Sequence, residues 1–145
     1  MSPFADSSAL VKLYADEVGH ELVRPLGLLM ISQLARVEVP GAIWRKQRMG
    51  ELSPGQARLL VEEFEADYFG AAGEDSRFIA VAAAAPVLDD AARLAAVHGL
   101  RAYDAVQLAS ACAARAADPG CTAVVAFDEA LRAAAAAQGF RIIGS

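Results

Sequence analysis

The chain has 145 residues and a mass of 15.1 kDa, the length of one compact domain, and a domain of that size can bury about 70% of its unfolded surface. With 56% hydrophobic residues a packed core is expected and intrinsic disorder is excluded. The net charge of −5 argues against a broad electrostatic nucleic-acid binder while leaving room for a local basic patch.

Short apolar runs alternate with helical patterns along the whole chain. The first run, Phe4–Ala5, is followed by Leu28–Ser32, Phe78–Ala82, Thr122–Phe127 and Phe140–Ile143. Each is continuously apolar, as a parallel strand covered on both faces should be. Between them, Ser53-Pro54-Gly55-Gln56 reads as a capping box with proline at the first helical position. Pro86 opens a helix over Val87–His98, which Gly99 ends. Ala102–Ala117 is an alanine-rich helix stopped by Asp118-Pro119-Gly120, and Asp128–Gln138 is another, closed by Gly139. This alternation predicts one layered α/β domain over residues 1–145, and Gly70–Arg77 is its expected mobile loop.

No membrane span or leader is expected. The longest uncharged runs, Pro25–Ala35 and Phe78–Leu88, fall short of the ~20 residues that cross a bilayer. Cys112 and Cys121 are too few for a disulfide scaffold and lack metal-site spacing, which fits a reducing cytoplasm. His20 and His98 are isolated and leave little room for histidine-based zinc or triad chemistry.

Two groups stand out among the 18 acidic residues. Asp16-Glu17, Glu62-Glu63, Glu65, Asp67, Glu74-Asp75 and Asp89-Asp90 are clustered and read as solvated faces. Asp6, Glu38, Asp104 and Asp128 are instead embedded in apolar sequence. Taken singly, Asp6 and Asp128 read as helix N-caps, Asp104 as a first-turn charge on a helix dipole, and Glu38 as a surface residue. Taken together they suggest a site, because doubly wound sheets bind ligands at the carboxyl ends of their strands beside the switch point. Carboxylates gathered there repel and raise one another's pKa, and a hard divalent cation relieves that repulsion. Mg2+, with Mn2+ as a substitute, suits such all-oxygen ligands, and phosphodiester hydrolysis suits such a pocket.

These residues resemble a known family. Asp6-Ser7-Ser8-Ala9-Leu10-Val11-Lys12-Leu13-Tyr14 resembles the first motif of PIN-domain ribonucleases of the VapC toxin type, and Ser32-Gln33-Leu34-Ala35-Arg36-Val37-Glu38 resembles the second. Leu100 to Ala109, containing Tyr103-Asp104-Ala105, resembles the third motif, and Phe127-Asp128-Glu129-Ala130-Leu131 the fourth. The resemblance covers essentially the whole chain, with the motifs in order. It implies a PIN-like five-stranded parallel sheet flanked by helices, Mg2+- or Mn2+-dependent endoribonuclease activity, and inhibition by a cognate VapB-type antitoxin. Asp6 and Asp104 would be the principal metal ligands, Glu38 and Asp128 would complete the acidic catalytic set, and Ser7 or Ser8 would lie near it. Two departures stand out. Ala126 occupies a place often held by Ser or Thr, and Pro40 follows Glu38 inside a helix, where it removes an amide donor and favours a kink.

For RNA binding the densest basic group is Arg45, Lys46 and Arg48, with Arg101 before Asp104 and Lys12 after Asp6. Tyr68 and Phe69 read as packing residues rather than base-stacking platforms. Leu59, Leu60, Phe64 and Phe69, with Trp44, form an apolar stripe that packs internally and, where surface is left over, offers a groove for an antitoxin segment. A homodimer is left open. Three rival readings follow from the same residues. One is a non-catalytic PIN-like RNA- or protein-binding module. Another is an aspartyl phosphotransfer domain, disfavoured because only Lys12 and Lys46 supply lysines. The third is a deoxyribonuclease, which the metal chemistry alone does not exclude.

Overall fold

The computed structural model describes residues 2–70 and 75–144. Residues 71–74, the middle of the loop expected at Gly70–Arg77, lie outside the described residues. Strands β1 (Phe4–Ala5), β2 (Leu29–Ser32), β3 (Phe78–Val81), β4 (Ala123–Val125) and β5 (Arg141–Ile143) form one sheet in the order β3-β2-β1-β4-β5. Every pairing is parallel. Helices α1 (Ser7–Val11), α2 (His20–Val23), α3 (Ala35–Arg48), α4 (Pro54–Phe69), α5 (Ala85–His98), α6 (Ala102–Ala117) and α7 (Glu129–Ala137) complete the domain. The layered α/β architecture is the one the sequence pattern predicts, and the five-stranded parallel sheet flanked by helices is the one the family resemblance implies.

The continuous apolar runs have a direct explanation in the two-residue period of a strand. Phe4, Met30 and Val124 enter one core, with residues of α5, α6 and α7. Their chain neighbours Ala5, Leu29, Ile31 and Val125 enter a second core on the other face, with residues of α1, α3 and α4. Successive side chains point to opposite faces, so both must be apolar where helices cover both. That condition fails at β3, an edge strand where Ile79 and Ala80 are exposed. Continuous apolarity there does not mean burial on both sides.

The expected helix signals operate locally. Ser53 and Gln56 form the reciprocal capping box, and Pro54 opens α4. Gly99 ends α5 in the left-handed conformation (φ 65°), which spares a β-carbon penalty. The segment α3 runs on through Pro40 without interruption, so the proline does not divide the helix that carries Glu38. Lying beyond the first four residues of α3, Pro40 removes one amide from the ladder, the one that would otherwise meet the Arg36 carbonyl.

Several charges read as solvated are instead engaged. Glu17 is bonded to both Lys12 and Lys46, Glu65 pairs with Arg36 at 2.6 Å, and Asp67 accepts the Tyr14 hydroxyl at 2.7 Å. Clustering along the chain did not distinguish these from free surface acids, because each partner comes from another element. The aromatic expectation divides likewise. Tyr68 packs against the buried Phe64, whereas Phe69 is 65% exposed with the Arg36 guanidinium over its ring.

Candidate active site

The sheet order places a switch point between β1 and β4. The chain leaves β1 toward β2 on one side and leaves β4 toward β5 on the other, which opens a crevice at the carboxyl ends of the central strands. Asp6 follows β1 directly and Asp128 follows β4. Both are N-caps, as read from the sequence. Asp6 accepts from the Ala9 amide at 2.9 Å, and Asp128 accepts from the Leu131 amide at 2.9 Å. Capping fixes each carboxylate at the sheet edge without occupying all of its lone pairs.

Two helices bring the other acids. Glu38 stands in the first turn of α3 and Asp104 in the first turn of α6. Asp6, Glu38, Asp104 and Asp128 line one cavity of about 240 Å3, together with Ser7, Ser8, Arg101 and Gln107. A second depression of about 300 Å3 shares Glu38, Arg101 and Asp104 with it and adds Ala102 and Tyr103. The four acids are far apart in sequence but sit together in the fold.

Asp6 is the most deeply placed, 4% exposed, with its oxygens accepting from the Ser8 hydroxyl at 2.9 and 3.0 Å. Burial, helped by the nearby charges of Asp104 and Glu38, pushes its carboxyl up to about 6 against the Ala9 and Ser8 hydrogen bonds. Asp104 is also raised, by burial and then by Asp128, while Arg101 draws it down from 3.7 Å. These mutual effects are those of carboxylates crowded into one site.

Glu38 is held differently. Its Oε1 accepts from the Ser7 hydroxyl at 2.9 Å and from Gln107 Nε2 at 2.8 Å, and Gln107 Nε2 also donates to Ser7 Oγ at 2.9 Å. The hydroxyl of Ser7 therefore serves Glu38, and that of Ser8 serves Asp6. Among the described residues, no three His, Cys, Asp or Glu side chains are gathered tightly enough to hold an ion as they stand. The donor set nevertheless fits a hard divalent cation: the acids lining the cavity offer only oxygen, with no imidazole or thiolate beside them.

The cation expectations change more. Arg101 lines the cavity and is 87% exposed. Arg45 and Arg48 are exposed but stand at the far end of α3, with Arg45 about 10 Å along the axis from Glu38 at ~1.5 Å per residue. Lys46 is tied to Glu17. Lys12 binds Glu17 and donates to the Val18 carbonyl at 2.7 Å, and its ammonium lies over the Phe127 ring. It supports the loop beside Asp128 rather than facing the pocket. Ala126 is fully buried and offers no hydroxyl to Asp128, as its side chain dictates. Sequence reading missed Gln107 and Tyr103. A lone glutamine among Ala105, Val106, Leu108 and Ala109 was the available signal for the first, and Tyr103 beside Asp104 for the second.

An all-parallel sheet with a carboxylate-lined cavity at its switch point defines a PIN-like α/β domain. The chain is 35% identical over 143 residues to Ribonuclease VapC45 of Mycobacterium tuberculosis (strain CDC 1551 / Oshkosh), covering 96% of this chain and 92% of that protein. The same identity and coverage relate it to Ribonuclease VapC49 of Mycobacterium tuberculosis (strain ATCC 25618 / H37Rv). The chain belongs to the VapC family of PIN-domain ribonucleases. The solved structure of PAE2754 from Pyrobaculum aerophilum superposes with a TM-score of 0.57 at 23% identity, covering 97% of this chain and 89% of that one, a likeness of fold. No family model matches the chain. Among the described residues no helix is long and apolar enough to cross a membrane.

Proposed function

We propose that this protein is a metal-dependent endoribonuclease, the toxin of a type II toxin–antitoxin pair, which hydrolyses RNA phosphodiester bonds in the cytoplasm and is neutralised by a cognate VapB-type antitoxin. The observation that carries the reading is the meeting of Asp6, Glu38, Asp104 and Asp128 in one cavity at the sheet's switch point. Two relatives bearing the name ribonuclease support RNA as the substrate.

Asp6 and Asp104 would be the principal ligands of Mg2+ or Mn2+, with Glu38 and Asp128 completing the set. Such an ion supplies Lewis acidity, polarising the phosphate and offsetting charge on the departing oxygen. The protein's own part is positioning. The N-cap bonds hold Asp6 and Asp128 at the strand ends, Ser7 and Gln107 hold one oxygen of Glu38, and Arg101, loosely paired with Asp104, stands at the mouth where it would meet a phosphate. The exposed ring of Tyr103 in the adjoining depression gives a flanking base a surface to stack on.

The test uses purified full-length protein on total cellular RNA, with sequencing of the ends produced. Cleavage should require Mg2+ or Mn2+, stop with EDTA, and fall by about 10³-fold or more in Asp104→Asn, since charge stabilisation by a metal is worth several kcal/mol. Cleavage that persists in EDTA or in Asp104→Asn overturns the reading. A folded protein that takes up the ion and cuts no RNA points instead to the non-catalytic binding module.

A further inference from the structure

We infer that Gln107 is a positioning residue that aims the Glu38 carboxylate into the pocket, and that it does so with its own amide oxygen left unpaired. The inference deepens the metal-dependent reading above and rests on it. Its basis is a closed triangle of hydrogen bonds between three elements: Ser7 on α1, Glu38 on α3 and Gln107 on α6.

The direction of every bond in the triangle is forced. A carboxylate only accepts, so both the Ser7 hydroxyl and the Gln107 amide must donate to Glu38 Oε1. The single hydroxyl proton of Ser7 is then committed, and Ser7 Oγ can only accept the second Gln107 proton. The amide nitrogen must therefore face the triangle, and the amide oxygen must face away. Two donors thus fix one oxygen of Glu38. Among the described residues no protein donor meets the other, which leaves it available to a ligand in the pocket.

The second observation is what this orientation costs. Gln107 is 3% exposed, and its Oε1 is buried without a hydrogen-bond partner. Its neighbours Ala105, Val106, Leu108 and Ala109 are all buried and apolar. The side chain thus spends both of its donors on Ser7 and Glu38 and leaves its acceptor unpaired, so its amide is oriented by the acidic site and not by the apolar residues beside it in the helix.

The experiment compares wild type with Gln107→Met in the full chain, alone and combined with Glu38→Gln. Gln107→Met should remain folded when metal-free, as its thermal melt will show. Its Mn2+ affinity by calorimetry should fall by roughly 10- to 100-fold, the usual effect of losing a group that orients a metal ligand. In the Glu38→Gln background the same change should do nothing further, because its action runs through Glu38. An unchanged affinity overturns the proposal, and so does a lowered unfolding temperature with an affinity loss that persists in Glu38→Gln. A separate readout needs no metal. The Gln107 side-chain amide protons should exchange slowly and shift in wild type, and lose both properties in Glu38→Ala. If wild type binds no Mn2+, the metal-dependent reading fails while this signature still decides the role of Gln107. Ordinary amide exchange in wild type overturns that role.

Discussion

Asp6 and Glu17 flank α1 and are treated in opposite ways. Asp6 is 4% exposed, caps the helix, and is bonded only to neutral donors, the Ala9 amide and the Ser8 hydroxyl. Burial and neighbouring carboxylates hold its pKa at about 6. Glu17 is also penalised by burial, but Lys46 and Lys12 outweigh that and hold its carboxyl below the usual range. The lysines nearest the pocket in sequence are thus committed to a structural cluster, which supports the Phe127 ring through Lys12. Charge that only stabilises the fold is compensated from within. Asp6, which under the proposed reading would meet a metal ion, has no cationic side chain bonded to it among the described residues. The comparison teaches that an uncompensated acid in a folded domain is a stronger functional sign than acidity itself.

The largest effect that would test this contrast is at Asp6. Asparagine caps helices as well as aspartate does, so Asp6→Asn keeps α1 while removing the buried charge. RNA cleavage should fall by about 10³-fold, and the metal-free protein should become more stable. The sign follows from linkage. The folded pKa of about 6 exceeds the ordinary 3.8, so the unfolded chain loses its proton first as pH rises. The resulting penalty is absent below about pH 4, grows up to about pH 6, and stays constant above, at on the order of 3 kcal/mol. Thermal melts of both proteins across that window should show the gain of Asp6→Asn vanish in acid. Equal stability at pH 7.5 would contradict the uncompensated charge.

Glu17 should give the opposite result with a smaller size. Glu17→Gln leaves Lys12 and Lys46 facing each other without their shared carboxylate. A partly exposed ion pair is worth up to about 1 kcal/mol, which for a domain of this length means a fall of roughly 3 °C in Tm. Because the folded pKa lies below the ordinary value, this stabilisation exists above that value and disappears as pH falls through the folded pKa. The kcat for RNA cleavage should stay near wild type. A large loss of activity would instead show that the Lys12–Phe127 contact governs Asp128.

These contrasts also mark how far the sequence could be read. The strands, the capping box and the four embedded acids were legible because each depends on local pattern: apolar runs, Ser-Pro-x-Gln spacing, and single acids set in apolar sequence. The fate of the cations was not. Lys46 appears in a basic cluster with Arg45 and Arg48, and only the packing of α3 against the segment after α1 brings it to Glu17. Gln107 was hidden for a related reason. Its partners Ser7 and Glu38 lie on α1 and α3, and nothing in the α6 sequence reveals them. Sequence pattern located the acids, whereas tertiary pairing decided which of them remain free.

The smallest expected effect concerns Arg101, the cation that lines the pocket among the described residues. Arg101 is 87% exposed and 3.7 Å from Asp104, too long for a well-formed hydrogen bond, so little holds it there. A side chain so loosely tied can swing to a phosphate of the RNA. Arg101→Ala should raise KM by a few-fold, leave kcat nearly unchanged, and reduce the salt dependence of binding by about one unit of log–log slope. Losing the guanidinium also removes the influence that lowers the Asp104 pKa, so the acid limb of the cleavage profile should move to higher pH. Arg45→Ala is the control, because it lies well along α3 from Glu38. If both substitutions changed the salt slope equally, phosphate contacts would extend along α3, and the division between compensated and available charge would have to be drawn farther from the pocket.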